Sequence, residues 1–263
     1  MKITNQRIPM VLPEVQAVCP SAFTTTVAPH LSSNYTHIPT SQVVMDMIEL
    51  GWTPVSAQEV RSRKSVGFQK HIIRFQNQNI TINGANDDNV FPELLLTNSH
   101  DGKNAFHLRV GLYRTVCSNG LVVADAEFSN VAIRHSGYTF EELRAQVLVM
   151  IETLPNLVNK INTFRDISLS DEQQIEFATR AAQLRWKSQD ITINPDDLLL
   201  AERNLDMGSD LWAVFNRVQE KLVNGGINYS KGRKTRKVRA LKNFTADMNF
   251  NGELWQLAEG YIN

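Results

Sequence analysis

From Ala105 to Val116 the chain reads AFHLRVGLYRTV, and Phe106, Leu108, Val110 and Leu112 alternate with His107, Arg109, Gly111 and Tyr113. Period two is the mark of a strand with one face buried. Three more stretches have strand character: Phe68–Gln76 (FQKHIIRFQ), Phe91–Thr97 (FPELLLT), and a broken fourth at Leu121–Val123 and Phe128–His135. Asp101-Gly102 lies between the second and third stretches and Ser118-Asn119-Gly120 follows the third. Both are turn signals that favour antiparallel neighbours. The middle of the chain therefore predicts an antiparallel meander. After it the period changes to that of a helix: Leu143, Val147, Met150, Ile151, Leu154, Leu157, Val158 and Ile161 form one apolar stripe, opened by Thr139 and Glu142 at capping-box spacing. Pro155 should kink or split this helix.

Further helices are predicted from Ser170 to about Trp186, after Asn194-Pro195, from Ser209 to Gly225-Gly226, and near Gly252–Tyr261. A short one precedes the strands, where Thr40-Ser41 lead into VVMDMIELGW and Gly51 supplies a stop. Strands followed by helices indicate α+β, an antiparallel meander sheet followed by a long helix and a helical C-terminal region, rather than a parallel α/β sheet. Residues 1–40 carry few charges and many Pro, Ser and Thr, so they read as an extended arm, ordered against a neighbouring subunit if at all. The division expected is thus an arm at 1–40, an α+β core at 41–166 and a helical region at 167–263.

Composition narrows the chemistry. The 27 basic and 27 acidic residues among 263 cancel, which excludes a uniformly basic coat and requires any phosphate attraction to come from local clustering. Two cysteines, Cys19 and Cys117, are too few for a disulfide framework and suit a reduced cytosol. No apolar run reaches the roughly 20 residues that span a bilayer. P-loop, dinucleotide-binding, HExxH and GxSxG strings are absent, and no ligand spacing suggests a metal or a cofactor. Ser99-His100-Asp101-Gly102 is first of all a turn, even with His107 within reach across the hairpin. Cys117 beside its turn reads as a buried thiol, since neither His107 nor His135 is placed as its base. No catalytic residue is assigned.

The clearest signal is the tract Lys231, Arg233, Lys234, Arg236, Lys237, Arg239 and Lys242. No acid occurs between Lys221 and Thr245. Arginine forks and lysine charges suit phosphates, and the flanking Tyr229 and Phe244 could stack on bases. The alternative is a solvated loop. A second patch, Arg61, Arg63, Lys64, Lys70, His71 and Arg74, precedes and enters the first predicted strand. Alternation puts Lys70, Ile72 and Arg74 on one face, either as one wall of a basic groove or as the charged guard of an edge strand.

The strings HIPTSQVVMDMIELGWTPVSAQEVRSR, FQKHIIRF, ELLLTNSHDGKNAFHLRVGLYRTVCSNGLVV and SKGRKTRKVRALKNFTADMNFNGELWQLAE together resemble the phage/plasmid-like domain-of-unknown-function family numbered nine-three-two, over most of residues 35–263. That resemblance implies a mobile-element origin and a bacterial cytoplasm, and brings no catalytic residues. Meander-then-helix order also resembles the β-β-β-α core of Rad52-type annealing proteins, which assemble as rings. Three functions are open. One is a single-stranded DNA-binding or annealing protein, forming a ring or filament. A second is an anti-restriction or other anti-defence protein bound to a host protein. The third is a nuclease assembled from distant acids and histidines.

Overall fold

In a computed structural model of the chain, the structure describes residues 7–31, 35, 37–63, 65–81, 89–104, 106–114, 120–122, 131–133, 139–187 and 190–262. The chain divides into two compact units, residues 1–120 with 126–154, and residues 121–125 with 155–263. Lys64, Cys117 and His135 lie outside the described residues, as does the turn at Ser118-Asn119.

The first unit is built on an antiparallel sheet. Strands β1 (Thr53–Glu59), β2 (His71–Gln76), β3 (Val90–Asn98) and β4 (Phe106–Arg114) pair in sequence order, each antiparallel to the next. A short strand β5 (Gly120–Val122) follows, and β6 (Val131–Ile133) pairs antiparallel with β4. The meander is as the alternation predicts: Phe106, Leu108, Val110 and Leu112 are all buried. β3 is buried at every position, as a central strand covered on both faces should be.

β1 has no counterpart in the sequence reading. It is an edge strand carrying Pro54 and a bulge between Pro54 and Ser56, and only Pro54 and Val55 are buried, so no period is visible in its sequence. Its presence also corrects the edge-strand alternative for Lys70–Arg74, because β2 is paired on both sides.

The expected extended arm also contains regular structure. Helix α1 (Leu12–Val18), with Pro13 in its first turn, leads into a 3-10 turn at Pro20–Phe23. Val15, Cys19 and Ala22 are fully buried and the Met10 amide donates to the Pro54 carbonyl at 2.7 Å. A few apolar residues at helical spacing suffice here because the sheet supplies the surface they cover. Helix α2 (Thr40–Glu49) buries Val43, Val44 and Met47, and Gly51 follows its end at φ 84, the left-handed position a glycine takes at low cost.

Helix α3 (Phe140–Asp166) is continuous through Pro155, and the two units divide at Leu154–Pro155. Its stripe is buried at Leu143, Val147, Met150, Leu154, Leu157, Ile161 and Phe164, a spacing of three and four residues throughout.

The second unit is helical. Helix α4 (Asp171–Arg185) starts with the predicted capping box between Ser170 and Gln173. Helix α5 (Pro195–Leu199) is capped by Asn194, and α6 (Leu211–Asn224) by Asp210, one residue after the expected start. Helix α7 (Phe244–Glu259) begins eight residues before the expected Gly252, where Asn243 accepts from the Ala246 amide. Phe164, Phe177, Phe215 and Trp255 make the core, with Phe164–Trp255 and Phe215–Trp255 ring centroids 5.0 and 6.1 Å apart.

Candidate functional site

The basic tract is a β-hairpin rather than a flexible loop. β7 (Asn228–Lys231) pairs antiparallel with β8 (Lys234–Lys237), and Gly232-Arg233 form a two-residue turn with Gly232 at φ 58. Its strands carry no apolar side chains to bury, which is why hydrophobic period does not reveal them. Backbone bonds hold them instead. The Ser230 and Thr192 amides each donate to the other's carbonyl, at 2.8 and 2.9 Å. At the base of the hairpin the Gly226 amide donates to the Val238 carbonyl at 3.1 Å, and the Leu241 amide to the Val223 carbonyl at 2.8 Å. Gly225 sits there at φ 78, and a Cβ at this position would lie 2.3 Å from the Val238 oxygen.

Lys231, Arg233, Lys234, Arg236, Lys237, Arg239 and Lys242 are all exposed. Tyr229 is opposite Arg236 in the register, so these two side chains share one face. That face opens on a cavity of about 540 Å³, lined by Arg185, Trp186, Tyr229, Arg236, Lys237, Val238 and Arg239. Two of these residues, Arg185 and Trp186, end helix α4 and were not singled out in the sequence. The Trp186 and Tyr229 rings lie 5.9 Å apart at 32°, and the Arg185 guanidinium carbon lies 4.8 Å from the Trp186 centroid.

Arg185 Nη2 donates to the Arg239 carbonyl at 2.5 Å, while Nη1 is buried without a hydrogen-bond partner among the described residues. Burial holds the guanidinium down to about 10, against the opposing pull of the Asp247 charge, so it remains a cation at neutral pH. The cavity thus has four cationic side chains, two aromatic rings and no acid in its lining. Such a site attracts anions. Phe244 opens α7, and its side chain lies outside what is described.

Two residues of the second expected patch, Arg74 and His71, are engaged inside the fold. Arg74 Nη1 donates to Glu93 at 2.9 Å, and Arg7 completes the pair at 3.2 Å. Glu93 is fully buried, so Arg74 balances an internal charge, a correction to its reading as a phosphate contact. Lys70 is half-buried near Arg109, and burial followed by that like charge lowers its affinity for a proton. Arg61 and Arg63 are exposed on the loop after β1. This patch and the hairpin cavity belong to different units.

The Ser99–Asp101 turn is buried in a polar network. His71 is fully buried, with Nδ1 2.9 Å from the Gln69 carbonyl and Nε2 2.9 Å from Thr40 Oγ1. A carbonyl only accepts, so Nδ1 carries the proton and the Thr40 hydroxyl donates to Nε2. Asn98 donates to that hydroxyl at 3.0 Å. The His100 ring packs against His37 and His71 at 4.4 and 5.3 Å. Burial lowers His71 to about 4, so its ring is neutral at ordinary pH. Among the described residues no group of three or more His, Cys, Asp or Glu could hold a metal ion. Cys19 is buried, and desolvation pushes its thiol up to about 12. No helix among the described residues is long and apolar enough to cross a membrane.

A family model described as a domain of unknown function, DUF932, matches residues 29–255. UPF0380 protein YfjQ of Escherichia coli (strain K12) is 28% identical over 255 residues, which is 95% of this chain and 91% of that protein. UPF0380 protein YafZ of the same strain is 27% identical over 258 residues, covering 97% and 92%. No solved structure matches the chain.

Proposed function

We propose for this chain, which belongs to the DUF932 family, that its second unit binds single-stranded DNA, in an annealing or recombination role on a mobile element. The observation that carries this reading is the cavity beneath the basic hairpin, where Arg185, Arg236, Lys237 and Arg239 surround the Trp186–Tyr229 ring pair. Cations alone would suit any polyanion. Aromatic faces beside them favour unstacked bases, which a duplex hides and a single strand offers. Neutral overall charge is no obstacle, since an acid-free stretch from Lys221 to Thr245 concentrates the field on one surface.

The test is oligonucleotide affinity against salt for the wild type and for the variant Arg233→Ala, Lys234→Ala, Arg236→Ala, Arg239→Ala. Each lost phosphate contact reduces the salt slope by about 0.7 for a single strand. Binding by the wild type that the fourfold variant loses supports the proposal. Wild-type affinity no better than that of a neutral control protein at low salt overturns it, and leaves a host protein as the partner.

A further inference from the structure

The geometry points to a two-compartment seat for one nucleotide, with the phosphate in the cationic cavity and the base in a separate slot on the other side of Trp186; this rests on the single-strand reading above. A second cavity, of about 150 Å³, shares Trp186 with the first. One wall is a stripe of α4, Thr179, Ala182, Gln183 and Trp186, spaced so that all four point from the same side of the helix. The other is the segment from Ile191 to Ile193 with Pro195 and Leu198.

Three observations fit this slot to a base. Its volume is that of a ring site, since an apolar cavity of ~150 Å³ accepts benzene. Its lining combines apolar residues with Gln183 and Thr192, whose side chains are of the kind that bond the edge of a base. Its mouth is fixed relative to the cationic cavity, because the paired Thr192–Ser230 backbone bonds tie its outer wall to strand β7. The Trp186 and Tyr229 rings are already 5.9 Å apart, too near each other to sandwich a base, so the base needs a place beside the pair. Arg185 lines the phosphate compartment next to the shared wall, its guanidinium carbon 4.8 Å from the Trp186 centroid.

Calorimetric titration with adenosine 5′-monophosphate and with inorganic phosphate tests this seat, alongside oligonucleotide titration of the same samples. The wild type should prefer the nucleotide over phosphate by about 5- to 150-fold, the range of one stacking contact. Ala182→Phe, which fills the slot, should bring that ratio to near one. Should Ala182→Phe fail to fold, Trp186→Ala decides, since it removes the shared wall and should collapse the same ratio. Equal affinity for phosphate and nucleotide in the wild type, or a preference that survives both substitutions, overturns the two-compartment seat. If the wild type binds oligonucleotide while showing no such preference, only this inference fails; if it binds no oligonucleotide, the single-strand reading fails as well.

Discussion

Arg74 and Arg236 both lie on β-strands in basic stretches of sequence, and their surroundings differ completely. Arg74 is on a central strand and spends its charge on Glu93, a carboxylate with no exposure, which Gln76 and Arg7 also satisfy. Arg236 is exposed on a hairpin without apolar cover, opposite Tyr229 and over a cavity with no acid in its lining. The first unit also holds an internal polar chain, in which Asn98 donates to Thr40, Thr40 to His71 and His71 to the Gln69 carbonyl. In the second, Lys160 and Arg203 are paired with Glu259 and Glu220, while the cations of the hairpin face solvent. A basic residue in a sequence is therefore neutralised inside the fold in one setting and left facing solvent in the other, and the deciding fact is whether the fold delivers an acid to it.

The contrast can be broken by substitution, and the largest effect belongs to the first unit. Arg74→Ala removes one of the two cations paired with a fully buried carboxylate, and urea unfolding should show a loss of about 3 kcal/mol with unchanged oligonucleotide affinity. Reduced DNA binding at unchanged stability would return Arg74 to the interface. Gly225→Ala meets the Val238 oxygen in a left-handed conformation, and should cost about 1–3 kcal/mol and weaken binding as well, since it distorts the base of the hairpin.

Trp186→Ala should cost about 1–3 kcal/mol of oligonucleotide affinity while leaving the salt slope nearly intact, because stacking releases no counterions. Arg236→Ala should do the reverse, reducing the slope by about 0.7. If both change affinity and slope together, cations and rings do not act as separate elements.

Acidification discriminates between the units too. His71 has its folded proton affinity depressed to about 4 from 6.5, so between these values the unfolded chain binds the extra proton. Its contribution is fully present above about pH 6.5 and is lost as pH falls towards 4, by up to about 1 kcal/mol per pH unit. Unfolding curves across this range should show that slope, and His71→Gln should flatten it.

Much of the fold was legible because its signals are local. The period-two run at Phe106–Leu112, the α3 stripe and the Ser170–Gln173 capping box depend on neighbours in sequence, and all are found in the fold. What escaped depends on distant partners. β1 is held by β2 rather than by its own apolar pattern, and α1 by the sheet it covers. The Arg74–Glu93 pair joins residues nineteen apart on adjacent strands. For the candidate site, the tract gave the cations and Tyr229. Arg185 and Trp186 were invisible as site residues because they end a helix more than forty positions earlier, and only the hairpin's return brings Tyr229 to Trp186.

The most direct test of the central claim is where a single strand touches the protein. A bromodeoxyuridine oligonucleotide, crosslinked by ultraviolet light and mapped by peptide mass spectrometry, should join to Trp186 or Tyr229. Crosslinks confined to residues 61–74, or none above a neutral control protein, would contradict the assignment of the hairpin cavity as the binding surface.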